Sequence, residues 1–186
     1  MASVRPGTVP RLIADIGGTN ARFALLDGTT PRDEVVFACA QYPDIVSAIE
    51  HYLQQVGAHE GSSRPREGAF AIAGPVTGDV IRMTNHVWQF SAAQTRQQLR
   101  FDRLILMNDF TALAMAVRHL PHSELEAVGG GRPKPNAPIA LLGPGTGLGV
   151  SGLIPAGDHW IPLQGEGGHV TLSVMNEREI EVLRQL

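Results

Sequence analysis

Two glycine-rich turns, each set between apolar runs, constrain this chain of 186 residues more than any other feature. In the first, Leu12-Ile13-Ala14 and Phe23-Ala24-Leu25-Leu26 bracket Gly17-Gly18-Thr19-Asn20. In the second, Ile139-Ala140-Leu141-Leu142 and Leu148-Gly149-Val150 bracket Gly143-Pro144-Gly145-Thr146-Gly147. Short apolar runs joined by such turns predict two antiparallel hairpins. Glycine permits positive φ and lets backbone N–H groups approach a phosphate with no Cβ in the way. For the glycines alone, a hairpin that needs them only for geometry is the commoner reading. Asp15 tilts the balance, because an ionised carboxylate beside a buried strand calls for a partner such as a hydrated metal ion. The second turn lacks the lysine of a P-loop and the spacing of the dinucleotide fingerprint, so neither of those sites is indicated. Taken together, the two turns suit a protein that grips a nucleotide's phosphates from two sides of a cleft.

The segments around the turns alternate strand and helix patterns. Val35 to Ala40 reads as a third strand, and Tyr42-Pro43-Asp44 opens a helix with Ile45, Ile49, Tyr52, Leu53 and Val56 at helical spacing. Ala69 to Ala73 reads as a buried strand ended by Gly74-Pro75. Ser91 is placed to cap a helix running to about Leu99, and Leu104 to Met107 is another buried strand. The helix expected from Phe110 to His119 stops before Pro121. Gly129 to Pro138, rich in glycine and proline, is a linker or exposed loop. The last helix, Glu177 to Leu186, carries no stop signal.

Composition narrows the function classes. With 43% hydrophobic and 18% charged residues, the chain has too much apolar content for wholesale disorder. A net charge of −3 gives no large positive field for nucleic acid or anionic lipid, which favours a small neutral or anionic ligand. Cys39 is the single cysteine, so neither an intrachain disulfide nor a thiolate metal cluster can form, as suits a reducing cytoplasm. Its setting in Val35 to Ala40 marks it as a small core residue. The first ten residues lack the apolar core of a secretory signal, and nothing later approaches the ~20 apolar residues that span a bilayer. We expect a cytoplasmic protein with a flexible leader and no membrane segment.

Three further segments hold groups that could do chemistry. Asn108-Asp109 ends a strand. A carboxylate there can accept a proton from a substrate hydroxyl, and the amide can donate and accept. Asp109 could equally cap the following helix, and on the residues alone the cap reading is favoured. In Gly165-Glu166-Gly167-Gly168-His169, flanking glycines leave an acceptor and an imidazole uncrowded, as several hydroxyls of one sugar ring require. One Glu and one His do not complete a zinc site. In Asn85-His86-Val87-Trp88, Trp88 is expected in the core or a cleft wall, with Asn85 in the preceding loop.

All five segments, in this order, resemble those of the proteobacterial-type glucokinases, members of the hexokinase, actin and Hsp70 superfamily. The residues that carry the resemblance are Ala14 to Arg22, Met83 to Trp88, Asn108 to Ala112, Gly143 to Gly149, and Gly165 to His169. The resemblance implies an α/β protein of the ribonuclease H-like, actin-like ATPase fold. Residues 11–119 would form a small α/β domain after a leader of residues 1–10, and residues 120–186 would begin a larger α+β domain. The implied reaction is ATP-dependent phosphorylation of the 6-hydroxyl of glucose to glucose 6-phosphate, a step of glycolysis. Asp109 looks like the general base, and Asn108, Glu166, His169 and Asn85 like sugar ligands. Gly17, Gly18, Thr19 and Asn20 would form the first phosphate turn, and Gly143, Gly145, Thr146 and Gly147 the second. Asp15 would hold magnesium through water. No cysteine-rich motif follows Gly168-His169, so no structural zinc is expected. The expected partners are glucose, ATP and a second copy of the chain. Family members continue well past this length, with a further sugar-contacting glutamate and most of the adenosine pocket, so the chain alone is not expected to be a competent kinase. The rival readings are a non-catalytic sugar-sensing module of the same fold, and an ATPase with a protein client. Intact Asp109 and both glycine turns argue against the first, and the Asn108, Asp109, Glu166 and His169 set against the second.

Overall fold

The structure is a computed structural model that describes residues 9–83, 88–145, 147–171 and 173–185. The chain divides into two compact units, residues 1–130 and 131–186.

In the first unit, β1 (Arg11–Ile16), β2 (Asn20–Asp27) and β3 (Thr30–Ala38) form an antiparallel meander. Helix α1 (Ile45–Gln55) follows, then β4 (Glu67–Ile72), β5 (Val80–Arg82), β6 (Gln89–Ser91), α2 (Ala92–Gln98), β7 (Arg103–Asn108) and α3 (Asp109–Ala116). Five strands make one mixed sheet in the order β3-β2-β1-β4-β7, with β1, β4 and β7 parallel. Alternation drives the strands: Leu12, Ala14 and Ile16 of β1, Ala21, Phe23 and Leu25 of β2, and Phe70 and Ile72 of β4 are buried. They belong to one core with the buried stripe Ile45, Ala48, Ile49, Tyr52 and Leu53 of α1. Asp44 caps α1 by accepting from Ser47 N at 2.7 Å, and Ser91 caps α2 by accepting from Gln94 N at 3.1 Å. Trp88 is buried in the same core, its indole donating to the Tyr42 carbonyl at 3.0 Å.

In the second unit, β8 (Ile139–Pro144), β9 (Leu148–Ala156) and β10 (His159–Leu163) form an antiparallel sheet in the order β10-β9-β8, followed by α4 (Glu177–Gln185). Among the described residues no helix is long and apolar enough to cross a membrane.

Three elements depart from the sequence expectation. Strand β3 begins at Thr30, not Val35, because its polar half is held by ladder bonds to β2 at the sheet edge, where Pro31 and charged side chains are tolerated. The β5–β6 hairpin has strands of three residues, too short for any periodicity. It is tied by Asp79, which accepts from the Ser91 hydroxyl at 2.5 Å and from Ala93 N at 2.8 Å. These bonds, the hydroxyl first, hold the Asp79 carboxyl below its ordinary range. Strand β10 has a single proline and an exposed polar end, and forms through pairing with β9.

Candidate active site

The parallel register aligns Ile16, Ile72 and Asn108 across β1, β4 and β7, so three carboxyl ends meet at one edge of the sheet. Open α/β sheets bind ligands at that edge. The Ala73 amide donates to the Ile16 carbonyl at 2.9 Å, which fastens the exits of β1 and β4. Gly74 follows with φ of 134°, a conformation that favours glycine, and its carbonyl accepts from Asn108 Nδ2 at 3.2 Å. Asp15, the Gly17–Asn20 turn, Asn108 and Asp109 all belong to this edge.

The cap of α3 is Asn108, not Asp109. Asn108 Oδ1 accepts from Phe110 N at 3.0 Å and Thr111 N at 3.1 Å, while its Nδ2 donates to Gly74 O and, at 2.9 Å, to Asp109 Oδ1. Both lone pairs and both protons of that amide are thereby engaged within the protein. Asp109 is the first helical residue, and its Oδ1 also accepts from Phe110 N at 2.9 Å. Its carboxyl is half-buried and pushed above its ordinary range, chiefly by burial. The negative charge of Asp15 raises it further, and the Phe110 amide opposes the shift. Asp15 projects from the end of β1, half exposed, with Oδ2 accepting from Arg22 Nη1 at 3.0 Å. Arg22 is a neighbour of the site that residue chemistry alone does not mark, but the register does: a turn over residues 17–20 sets position 15 opposite position 22.

Gly17 does not use positive φ. A Cβ there would lie 3.3 Å from the Asn20 carbonyl, so this glycine supplies room in the turn, which the Gly17 amide closes by donating to Asn20 O at 2.9 Å.

The second unit carries the remaining described candidates. Its glycine turn joins β8 to β9, with Gly145 N donating to Gly147 O at 2.7 Å and open space at both Cα atoms. The 3-10 turn Gly167–His169 packs on β9. A Cβ on Gly168 would fall 1.8 Å from the Leu148 carbonyl, and one on Gly167 would fall 2.9 Å from Val150 Cβ. These glycines are required by close approach to β9, and they bring Glu166 and His169 beside the strand that leaves the second glycine turn. Both side chains are exposed, 3.9 Å apart, and the His169 amide donates to Glu166 O at 2.9 Å. Asn85 and Thr146 lie outside the described residues.

The chain matches the glucokinase family over residues 12–186. It is similar to a glucokinase of Chromobacterium violaceum, 49% identical over 99% of this chain and 52% of that protein. It is also similar to the crystal structure of a glucokinase from an Antarctic psychrotroph, with a TM-score of 0.81 and 32% identity over 96% of this chain and 56% of the other. A ROK family glucokinase from Streptomyces griseus, solved with glucose and AMPPNP, shares the fold at a TM-score of 0.54 and 22% identity, over 82% of this chain and 46% of that one. The expected α/β, actin-like ATPase fold is therefore borne out, and the chain spans about half the length of each of these three relatives. With the parallel-strand edge, the Asp15 turn and the Asn108-Asp109 pair all in place, the chain belongs to the glucokinase family.

Proposed function

We propose that the chain forms part of a glucokinase that transfers the γ-phosphoryl group of ATP to the 6-hydroxyl of glucose. The observation that carries this reading is Asp109, a half-buried carboxylate at the carboxyl edge of the parallel strands that is held, among the described residues, through Oδ1 alone. Asp109 Oδ1 is committed to Asn108 Nδ2 and Phe110 N. Oδ2 is the oxygen that takes the proton of the 6-hydroxyl as that hydroxyl attacks the γ-phosphorus in line. The backbone amides of the Gly17–Asn20 and Gly143–Gly147 turns receive charge on the phosphoryl oxygens. Glu166 and His169 hold ring hydroxyls, with Asn85 and Asn108 as further sugar ligands. Asn108 reaches a hydroxyl by sharing an atom already engaged in the cap.

Magnesium bound with ATP would offset the phosphate charge. Among the described residues no group of three or more acidic, His or Cys side chains is placed to hold a metal ion, and the group proposed to reach the ion's waters is the exposed Asp15 carboxylate. That donor set fits magnesium, which keeps most of its waters and takes other ligands from substrate phosphates. The resemblance adds a cytoplasmic homodimer without zinc.

A coupled glucose 6-phosphate assay on the protein at its native length tests the reading. Asp109→Ala should lower turnover by ~10²–10⁴-fold while glucose binding persists. Glu166→Gln should raise the glucose KM more than the ATP KM. ADP release that does not depend on sugar, or near-normal turnover in Asp109→Ala, would overturn it.

A further inference from the structure

Cys39 lies directly behind the first glycine turn. It is completely buried and follows β3 at the point where that strand runs beside the start of β2. Two of its groups meet the turn: the Cys39 amide donates to the Thr19 carbonyl at 2.9 Å, and the thiol donates to the Gly17 carbonyl at 3.4 Å. Burial pushes the thiol up from its ordinary range, so at neutral pH it keeps the proton it donates.

The consequence follows from peptide geometry. In a trans peptide the carbonyl of one residue and the N–H of the next point in opposite directions. Drawing the Gly17 and Thr19 carbonyls back to Cys39 therefore turns the Gly18 and Asn20 N–H groups to the other side of the turn. A two-residue hairpin loop ordinarily closes with a pair of reciprocal bonds. Here Gly17 N donates to Asn20 O, but the return bond from Asn20 N to Gly17 O is not among the turn's hydrogen bonds. The acceptor it would use is the one engaged by the thiol. An amide held back from its own hairpin is available to an anion.

We propose that Cys39 is a positioning residue for phosphate binding: its thiol draws the Gly17 carbonyl toward itself, keeps the Asn20 amide from making the second bond across the turn, and so leaves the Gly18 and Asn20 amides free for ATP. This rests on the reading of residues 17–20 as a phosphate turn. The thiol touches neither substrate and acts through the backbone of the turn.

The test compares Cys39→Ala, which removes the donor, with Cys39→Ser, which keeps one, in the protein at its native length. In Cys39→Ala the ATP KM should rise roughly 2–10-fold, the fold-change corresponding to one net hydrogen bond, with the glucose KM unchanged. Cys39→Ser should return the ATP KM toward the parent value. Independently of activity, hydrogen exchange of the Asn20 amide should slow in Cys39→Ala, as that N–H closes onto Gly17 O. An unchanged ATP KM and unchanged Asn20 exchange in Cys39→Ala would overturn the proposal. So would a parallel rise in both KM values with a fall in the melting midpoint, or Ser behaving no better than Ala. Gly18→Val separates the underlying reading: if that variant leaves the ATP KM untouched, the turn does not bind phosphate, whatever Asn20 exchange says about Cys39.

Discussion

Asp109 shows how one position can be costly to stability and useful to chemistry at once. Its carboxyl is raised above the ordinary range, mainly by burial. A carboxyl raised on folding holds its proton more tightly in the native state, so stability falls as pH climbs from the unfolded value through the folded one. Asp109→Asn removes the charge and keeps an acceptor for the Phe110 amide. We predict that this variant melts above the parent protein at neutral pH, that the gap closes as pH drops below the ordinary carboxylate range, and that turnover is lost throughout. Calorimetry across pH checks it, and an equal gap at every pH would contradict the assigned cause. The acid limb of the parent's pH–rate profile should likewise lie above the usual aspartate range of about 3.9. The position of this residue at a strand end was legible in the sequence. Its role as cap was not, because Asn and Asp are near-equivalent cap formers and only the hydrogen bonds assign the cap to Asn108.

At the level of elements, close backbone approach decides more than side-chain chemistry. Gly168 has no room for a Cβ, since the nearest atom is a backbone carbonyl of β9 that no rotamer change can move. We predict that Gly168→Ala costs about 1–3 kcal/mol, the usual scale of overpacking, and displaces the turn that carries Glu166 and His169. Urea unfolding measures the first effect and a raised glucose KM the second; normal values of both would count against this packing. A second element-level prediction concerns Arg64, whose guanidinium joins α1 through Glu50, at 3.0 and 2.5 Å, to the Leu99 carbonyl after α2, at 3.2 Å. Arg64→Met should cost roughly 1.5–3 kcal/mol, the scale of hydrogen bonds to charged groups, without changing either KM. Neither Gly168 nor Arg64 could be given this role from sequence. The first looked like freedom for its neighbours, and the second lay in a polar loop whose contacts come from residues far along the chain.

At the scale of the molecule, the two units differ sharply in how much apolar surface they bury. The first holds a continuous core from Leu12 to Phe101, whereas Leu153 is the one buried hydrophobic side chain of the second among the described residues. Leu142, Val170 and Met175 are 70%, 74% and 89% exposed. Local opening is easiest where few apolar contacts resist it. Amides of β1, β4 and β7 should therefore exchange with solvent far more slowly than those of β8, β9 and β10. Equal protection in the two sheets would refute this difference. The sequence by itself determined the two glycine-turn hairpins, the central strands β4 and β7 and the amphipathic α1, because periodicity and turn residues act over a few positions. It also marked nearly every candidate for chemistry, because those residues stand at strand ends and glycine turns. Tertiary structure alone decided which groups meet. The register across β1, β4 and β7 brings Asp15 to bear on Asp109, and a cysteine that reads as core filling lands behind the phosphate turn. Such pairings depend on where distant segments lie after the sheet has formed, and no local pattern encodes that.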